Sequence, residues 1–142
     1  MKIVSIAVSR KKGTSKIPVK RAHIIKNHGI KGDAHAGPWH RQVSFLAKES
    51  LEAVKDQGFE VAYGDFAENI LTEGIEWKKV PVGSRVILGE SVEIEISQIG
   101  KECHNKCAIY YKVGSCIMPV EGVFGKVIKG GDVQCGDPVK LL

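Results

Sequence analysis

Aromatic side chains make up only 6% of this chain, and none lies in its basic stretches. That argues against a nucleic-acid surface, which interleaves cations with stacking rings. Long apolar runs are missing too. The opening stretch from Ile3 to Val8 is too short for the hydrophobic region of a secretion signal, and basic residues follow it instead of a small-residue cleavage site. Nothing approaches the roughly 20 apolar residues of a spanning helix. Four cysteines, unevenly placed, are too few for a disulfide scaffold. Repeats, low-complexity tracts and Ser/Pro linkers are absent as well. These absences lead to the expectation of a cytoplasmic protein with reduced thiols and no membrane or nucleic-acid partner. The 142 residues form one domain, 1–142. A chain of this size buries roughly two-thirds of its unfolded surface and folds without staples.

What is present is a mild excess of 21 Lys and Arg over 16 Asp and Glu, scattered except in Arg10 to Lys16 and Pro18 to His28. Both stretches read first as solvated loops, and second as an attraction for a small anion. Short strands punctuated by glycine dominate the rest. Lys2 to Val8 and Val19 to Ile25 open the series. In "SVEIEIS", Val92, Ile94 and Ile96 alternate with Glu93 and Glu95, one face dry and one wet. Arg85 to Leu88 pairs with that strand through Gly89-Glu90, and Gly122 to Ile128 and Val139 to Leu142 add two more. Leu46, Ala47, Leu51 and Val54 repeat at helical steps, which predicts a helix from Leu46 to Gln57 stopped by Gly58. A shorter helical turn is expected over Cys107 to Lys112. Many strands with one or two short helices point to a mainly β chain, a closed or partly closed barrel.

Three segments carry chemistry. "HGIKGDAHAGPWHRQVS", His28 to Ser44, sets Lys31, Asp33, His35, His40 and Arg41 among glycines. It reads either as a polar surface loop or as an anion site of backbone amides with Lys31 and Arg41, Asp33 and His35 being polar or acid–base groups. Its spacing matches neither a P-loop nor a dinucleotide fingerprint. "GDFAENI", Gly64 to Ile70, has Phe66 and Ile70 as core anchors, leaving Glu68 and Asn69 for a cleft or a turn. "GKECHNKCAIYYKVGSC", Gly100 to Cys116, holds three of the four cysteines. Cys103, Cys107 and Cys116 with His104, His35 or Cys135 could supply zinc ligands, although the paired C-x-x-C knuckles of zinc sites are missing. A disulfide from Cys103 to Cys107 or Cys116 is the other structural reading. Cys116 and Cys135 read as buried small hydrophobes. Cys103 stands apart: Lys101 and His104 flank it, and nearby cations favour the thiolate that attacks carbon or sulfur or ligates a soft metal.

Gly29-Ile30-Lys31-Gly32-Asp33-Ala34-His35 followed by Arg41-Gln42-Val43-Ser44 resembles the opening signature of the MOSC domain, the C-terminal module of molybdenum cofactor sulfurases. "GDFAENI", then Gly83 with "ILGESVEIEISQIGKEC", then "GVFGKVIKGGDVQCGD" follow in the family's order, so the resemblance spans nearly the whole chain in its compact stand-alone form. It implies a MOSC-type β-barrel and makes Cys103 the functional thiol, carrying sulfur as a persulfide toward the molybdenum cofactor or ligating molybdenum itself. Lys31, Asp33, His35, Arg41, Gln42, Glu68, Asn69, Lys101 and His104 are then the residues expected to hold cofactor or substrate, with Cys107 as the thiol that resolves the persulfide. The pyridoxal-phosphate half of full sulfurases is absent, so a separate cysteine desulfurase is expected as donor, and a molybdoenzyme or cofactor-biosynthesis protein as acceptor. The N-terminal barrel of larger relatives is absent too, which implies that the cofactor (molybdopterin) is not held tightly by this chain alone. The alternative activities are binding of molybdopterin or molybdate, and reduction of N-hydroxylated compounds at the bound cofactor.

Overall fold

The computed structural model describes residues 1–12, 14–100 and 122–142. Among the described residues, eleven strands, one α-helix and one 3-10 turn follow in chain order: β1 (Lys2–Val8), β2 (Ile17–Val19), β3 (Arg21–Ile25), β4 (Gly29–Ile30), β5 (Val43–Ala47), α1 (Lys48–Asp56), β6 (Ile70–Glu73), the 3-10 turn (Trp77–Lys79), β7 (Arg85–Leu88), β8 (Val92–Ile99), β9 (Val123–Lys129), β10 (Gly131–Gln134) and β11 (Val139–Leu141). Eight strands make the large sheet in the order β11-β7-β8-β9-β5-β6-β1-β2, and β10-β3-β4 make a small one. The chain is therefore mainly β. Among the described residues neither sheet closes on itself. Edge strand β11 is nonetheless tied to the start of β1, because Ile3 N–H donates to Asp137 O (2.8 Å) and Val139 N–H to Met1 O (3.0 Å).

The alternation read from Val92 to Ile96 is realised. These three are buried, the intervening glutamates are half-buried, and Arg85 on β7 pairs across the strands with Glu93 and Glu95. β5 behaves differently, being buried along its whole length. Val43 and Phe45 join the larger core, where Phe45 packs 4.9 Å from Trp77, while Leu46 enters a second core with Leu51, Val54, Phe66, Leu71 and Phe124. A strand dry on both faces shows no period of two. Leu46 and Ala47 consequently complete β5, and the helix expected to start there begins at Lys48. β5 and β6 run parallel with α1 between them, whereas every other strand pair among the described residues is antiparallel. The single strand expected over Val19 to Ile25 divides at Lys20, β2 pairing with β1 in the large sheet and β3 with β10 in the small one. The expected helical turn over Cys107 to Lys112 lies outside the described residues.

Gly125 on β9 lies tightly between β8 and β5. A Cβ there would collide with Ile94 Cγ2 and stand 3.1 Å from Glu95 O and 3.5 Å from the Phe45 ring. Overpacking a core typically costs about 1–3 kcal/mol. Gly125→Ala should therefore lower the unfolding free energy by about that amount in urea denaturation, and an unchanged midpoint would show that β8 yields at no cost.

Candidate functional site

Lys16 immediately precedes β2, and its side chain is wholly out of solvent. A bare ammonium at that depth is untenable without partners. Its Nζ lies 2.7 Å from Asp33 Oδ1, 3.1 Å from Ser9 Oγ and 3.0 Å from His35 Nδ1. Three acceptors match the three protons of an ammonium. Asp33 is buried as well, and it also accepts the N–H of Ser9 on Oδ1 (3.0 Å) and of His35 on Oδ2 (3.2 Å). Ser9 Oγ passes its own proton to Lys11 O (3.0 Å). The end of β1, the start of β2 and the glycine loop thus converge on one buried ion pair.

Lys16 belongs to a stretch whose basic residues were expected in solvated loops. Nothing in its spacing separates it from Lys11 and Lys12, which are exposed. The burial follows from Asp33, whose carboxylate needs a countercharge inside the fold.

The glycine loop uses its amides internally. Asp33 N–H donates to Ile30 O, Ala34 to Ser9 O, Ala36 to Asp33 O, Gly37 to His28 O and Trp39 to Gly37 O, all within 3.2 Å. These backbone donors are therefore already engaged within the fold and form no open anion cradle. Trp39 Nε1 donates to His35 O (2.7 Å). Two cations lie over the Trp39 ring, Arg41 Cζ at 4.6 Å and Lys12 Nζ at 4.7 Å from its centroid, and Arg41 also reaches the Phe124 ring at 5.7 Å. Arg41 Nε is buried with no hydrogen-bond partner among the described residues. Lys31 is exposed.

The loop is bound to the end of the β8–β9 hairpin. Ser97 Oγ donates to His40 O and lies 3.2 Å from Phe124 O. Gly100 N–H donates to Gly122 O (2.7 Å), and these two glycines bracket residues 101–121. Lys101, Cys103, His104, Cys107 and Cys116 lie outside the described residues. Among the described residues no group of three or more His, Cys, Asp and Glu could hold a metal. Cys135, expected to be buried, is an exposed free thiol in the turn before β11. Its backbone is fixed there by Lys20 O (3.0 Å), which leaves the side chain outside the sheet.

Gln42, Glu68 and Asn69 are all buried and are held by the scaffold. Gln42 accepts Val127 N–H (2.9 Å) and donates to Asn27 Oδ1 (3.0 Å). Asn69 joins three strands, accepting Ser44 N–H on Oδ1 (3.0 Å) and donating from Nδ2 to Ala7 O (3.1 Å). Glu68 serves a turn: its carboxyl oxygens accept Gly64 N–H (2.7 Å) and Phe66 N–H (3.1 Å). Gly64 in turn accepts Lys16 N–H (2.8 Å), so this turn buttresses the ion pair from behind. Burial pushes the Glu68 carboxyl from its ordinary 4.5 up to about 7; its N–H partners oppose the rise and Asp65 adds to it.

Two outcomes follow. Removing one member of a buried ion pair strands the other charge, at a cost of about 3–5 kcal/mol. Asp33→Asn should lose stability on that scale in chemical denaturation, far more than the same change at exposed Asp132, and equal losses would deny the pair its role. For Glu68, the unfolded chain releases its proton near 4.5 while the folded chain keeps it to about 7. Between those values the folded state binds more protons, so stability falls as pH rises, by roughly 3 kcal/mol across the window. Glu68→Gln should remove this loss. Whatever fixed cost the swap carries, the gap to the parent should then move in the variant's favour from below 4.5 to above 7. Parallel stability–pH curves would rule this out.

The MOSC domain model matches residues 31–140, most of the chain. No curated protein matches significantly. Among solved structures, the YuaD protein from Bacillus subtilis superposes with a TM-score of 0.80 at 18% identity, over 97% of this chain and 93% of that one. YiiM from Geobacillus stearothermophilus gives 0.75 at 20%, over 99% and 74%. YiiM from Escherichia coli gives 0.67 at 22%, over 100% and 70%. At such identities the superpositions speak to the fold. The family match agrees with the glycine-loop, "GDFAENI" and "GKEC" segments in order, and the chain belongs to the MOSC domain family, which is linked to molybdenum cofactor biology.

Proposed function

We propose that this protein is a sulfur carrier in which Cys103 accepts a sulfane sulfur and delivers it to the molybdenum cofactor or another metal–sulfur acceptor. The supporting observation is the anchoring of Gly100 and Gly122. Both ends of the segment that contains Cys103 are fixed where Ser97 and Phe124 meet His40 and Arg41, beside the Lys16, Asp33 and His35 cluster.

The chemistry balances with thiols alone. The Cys103 thiolate attacks the terminal sulfur of a donor persulfide supplied by a cysteine desulfurase. The donor's S–S bond breaks, its thiolate leaves, and a Cys103 persulfide forms. Cys107 as a thiolate then attacks the inner sulfur of that persulfide. Hydrosulfide leaves for the acceptor, and a Cys103–Cys107 disulfide remains for a dithiol reductant to reopen. Lys101 and His104 favour the thiolate by their charge and polarity.

The acceptor's anionic portion fits the donors of the described site: the Arg41 guanidinium, whose Nε lacks a partner among the described residues, with Lys12 beside it on Trp39 and Lys31 on the same loop. The molybdenum cofactor carries such an anion in its phosphate and would bring a metal able to take sulfur. Gln42, Glu68 and Asn69 act behind the site by holding β5, β6 and the Gly64 turn. A second reading, storage or delivery of molybdopterin with Cys103 as metal ligand, draws on the same orphaned Arg41 nitrogen. Reduction of N-hydroxylated compounds would need that metal and an electron donor besides.

Incubation with a cysteine desulfurase and cysteine, followed by peptide mass spectrometry, should show one added sulfur on Cys103. Cys103→Ser should abolish it, and Cys107→Ser should let the persulfide accumulate. A bare Cys103 under these conditions, together with molybdenum retained by the parent and lost from Cys103→Ser, would favour the ligand reading instead.

A further inference from the structure

We infer that Lys16 is a positioning residue that fixes His35 as the tautomer protonated on Nε2, so that the ring acts at this site as a hydrogen-bond donor and not as a base. The argument is one of proton inventory. Lys16 Nζ lies 3.0 Å from His35 Nδ1, so a proton must sit on one of these nitrogens and be accepted by the other. The ammonium faces the carboxylate of Asp33 at 2.7 Å, with both side chains out of solvent, and an opposite charge at that distance favours the charged amine. Asp33 acts only as acceptor, toward Lys16, Ser9 N–H and His35 N–H. An ammonium has no lone pair to offer, which makes His35 Nδ1 the acceptor and leaves the ring proton on Nε2. An imidazolium is excluded, since it would set two like-charged donors 3.0 Å apart.

The His35 backbone is clamped on both sides, its N–H to Asp33 Oδ2 (3.2 Å) and its carbonyl to Trp39 Nε1 (2.7 Å), which holds the residue beside Lys16. The same hydrogen bonds that hold Lys16 therefore fix the chemical character of His35. The other ring nitrogen is then a donor, which suits an acceptor atom such as an oxyanion oxygen and disfavours proton abstraction. This consequence for the ligand rests on the function proposed above. The tautomer assignment does not, and it is tested on protein that has met neither donor nor acceptor.

Long-range proton–nitrogen correlation spectra of the 15N-labelled full chain report the tautomer of each histidine ring, and His35→Gln identifies the His35 signals by their loss. At neutral pH, Nδ1 of His35 should resonate as an unprotonated ring nitrogen and Nε2 as a protonated one. In Lys16→Met the two signals should move toward each other as the ring samples both tautomers. Should that variant fail to fold, a scalar coupling across the hydrogen bond between Lys16 Nζ and His35 Nδ1 in the parent protein serves instead. A proton on Nδ1 in the parent, signals unmoved in a folded Lys16→Met, or no such coupling would each overturn the assignment. Failure of sulfur transfer to Cys103 would leave these spectra untouched, so the two proposals fail separately.

Discussion

The arrangement turns on one buried contact, the ammonium of Lys16 against the carboxylate of Asp33. Taking both charges out of water costs several kcal/mol for each ion, and their attraction recovers that only when the remaining protons and lone pairs also find partners. Here they do. Ser9 and His35 take the other two positions around the amine, and backbone N–H groups fill both carboxylate oxygens. On general grounds such a cluster contributes little net stability compared with apolar side chains of equal volume. What it contributes is arrangement. An apolar pair would keep β1, β2 and the glycine loop together but would place neither the His35 ring nor the backbone that follows it.

From that contact the order propagates along the loop. His35 O holds the Trp39 indole, the Trp39 face carries Arg41 and Lys12, and His40 O is fixed to Ser97 on β8. Each link is a directional bond or a ring contact, so the cluster at one end of the large sheet is coupled geometrically to the base of the segment that bears Cys103. Two cations sharing one indole would repel in the open. The ring's negative face offsets part of that repulsion, and the remaining positive potential is what an anionic group would meet.

How far this could be read from sequence depends on whether a feature is local. The alternation Val92, Ile94, Ile96 is a local pattern with one wet face, and it specified β8 correctly. β5 is dry on both faces, so its Leu46 and Ala47 carried the same apolar signal as a helix and were read as one. The glycines and charges single out the His28 to Ser44 loop with Asp33 in it, but not the partner that makes Asp33 tolerable in the interior. Lys16 lies 17 residues away among other basic residues that remain in solvent, and only folding distinguishes them. The sequence leaves Glu68 and Asn69 for a cleft or a turn and singles out Gln42 only through the family signature, and the fold buries all three. Their roles could not be read, because the groups they satisfy, Val127 N–H, Gly64 N–H and Ala7 O, are backbone atoms distant in sequence or fixed only by a turn.

The polar interior also divides by degree of satisfaction, and the division separates scaffold from site. Gln42 and Asn69 use both ends of their amides on partners within the fold, and a saturated network rigidifies without offering anything to a ligand. Arg41 is the opposite case: its guanidinium is stacked and oriented by Trp39 and Phe124, yet its buried Nε has no partner among the described residues. A buried donor without an acceptor costs about 1–3 kcal/mol, and a fold that satisfies its other interior amides so fully has little structural reason to bear that cost. On the function proposed above, an incoming acceptor atom would meet a guanidinium already oriented by two rings, and its bond to the buried Nε would recover that cost as affinity.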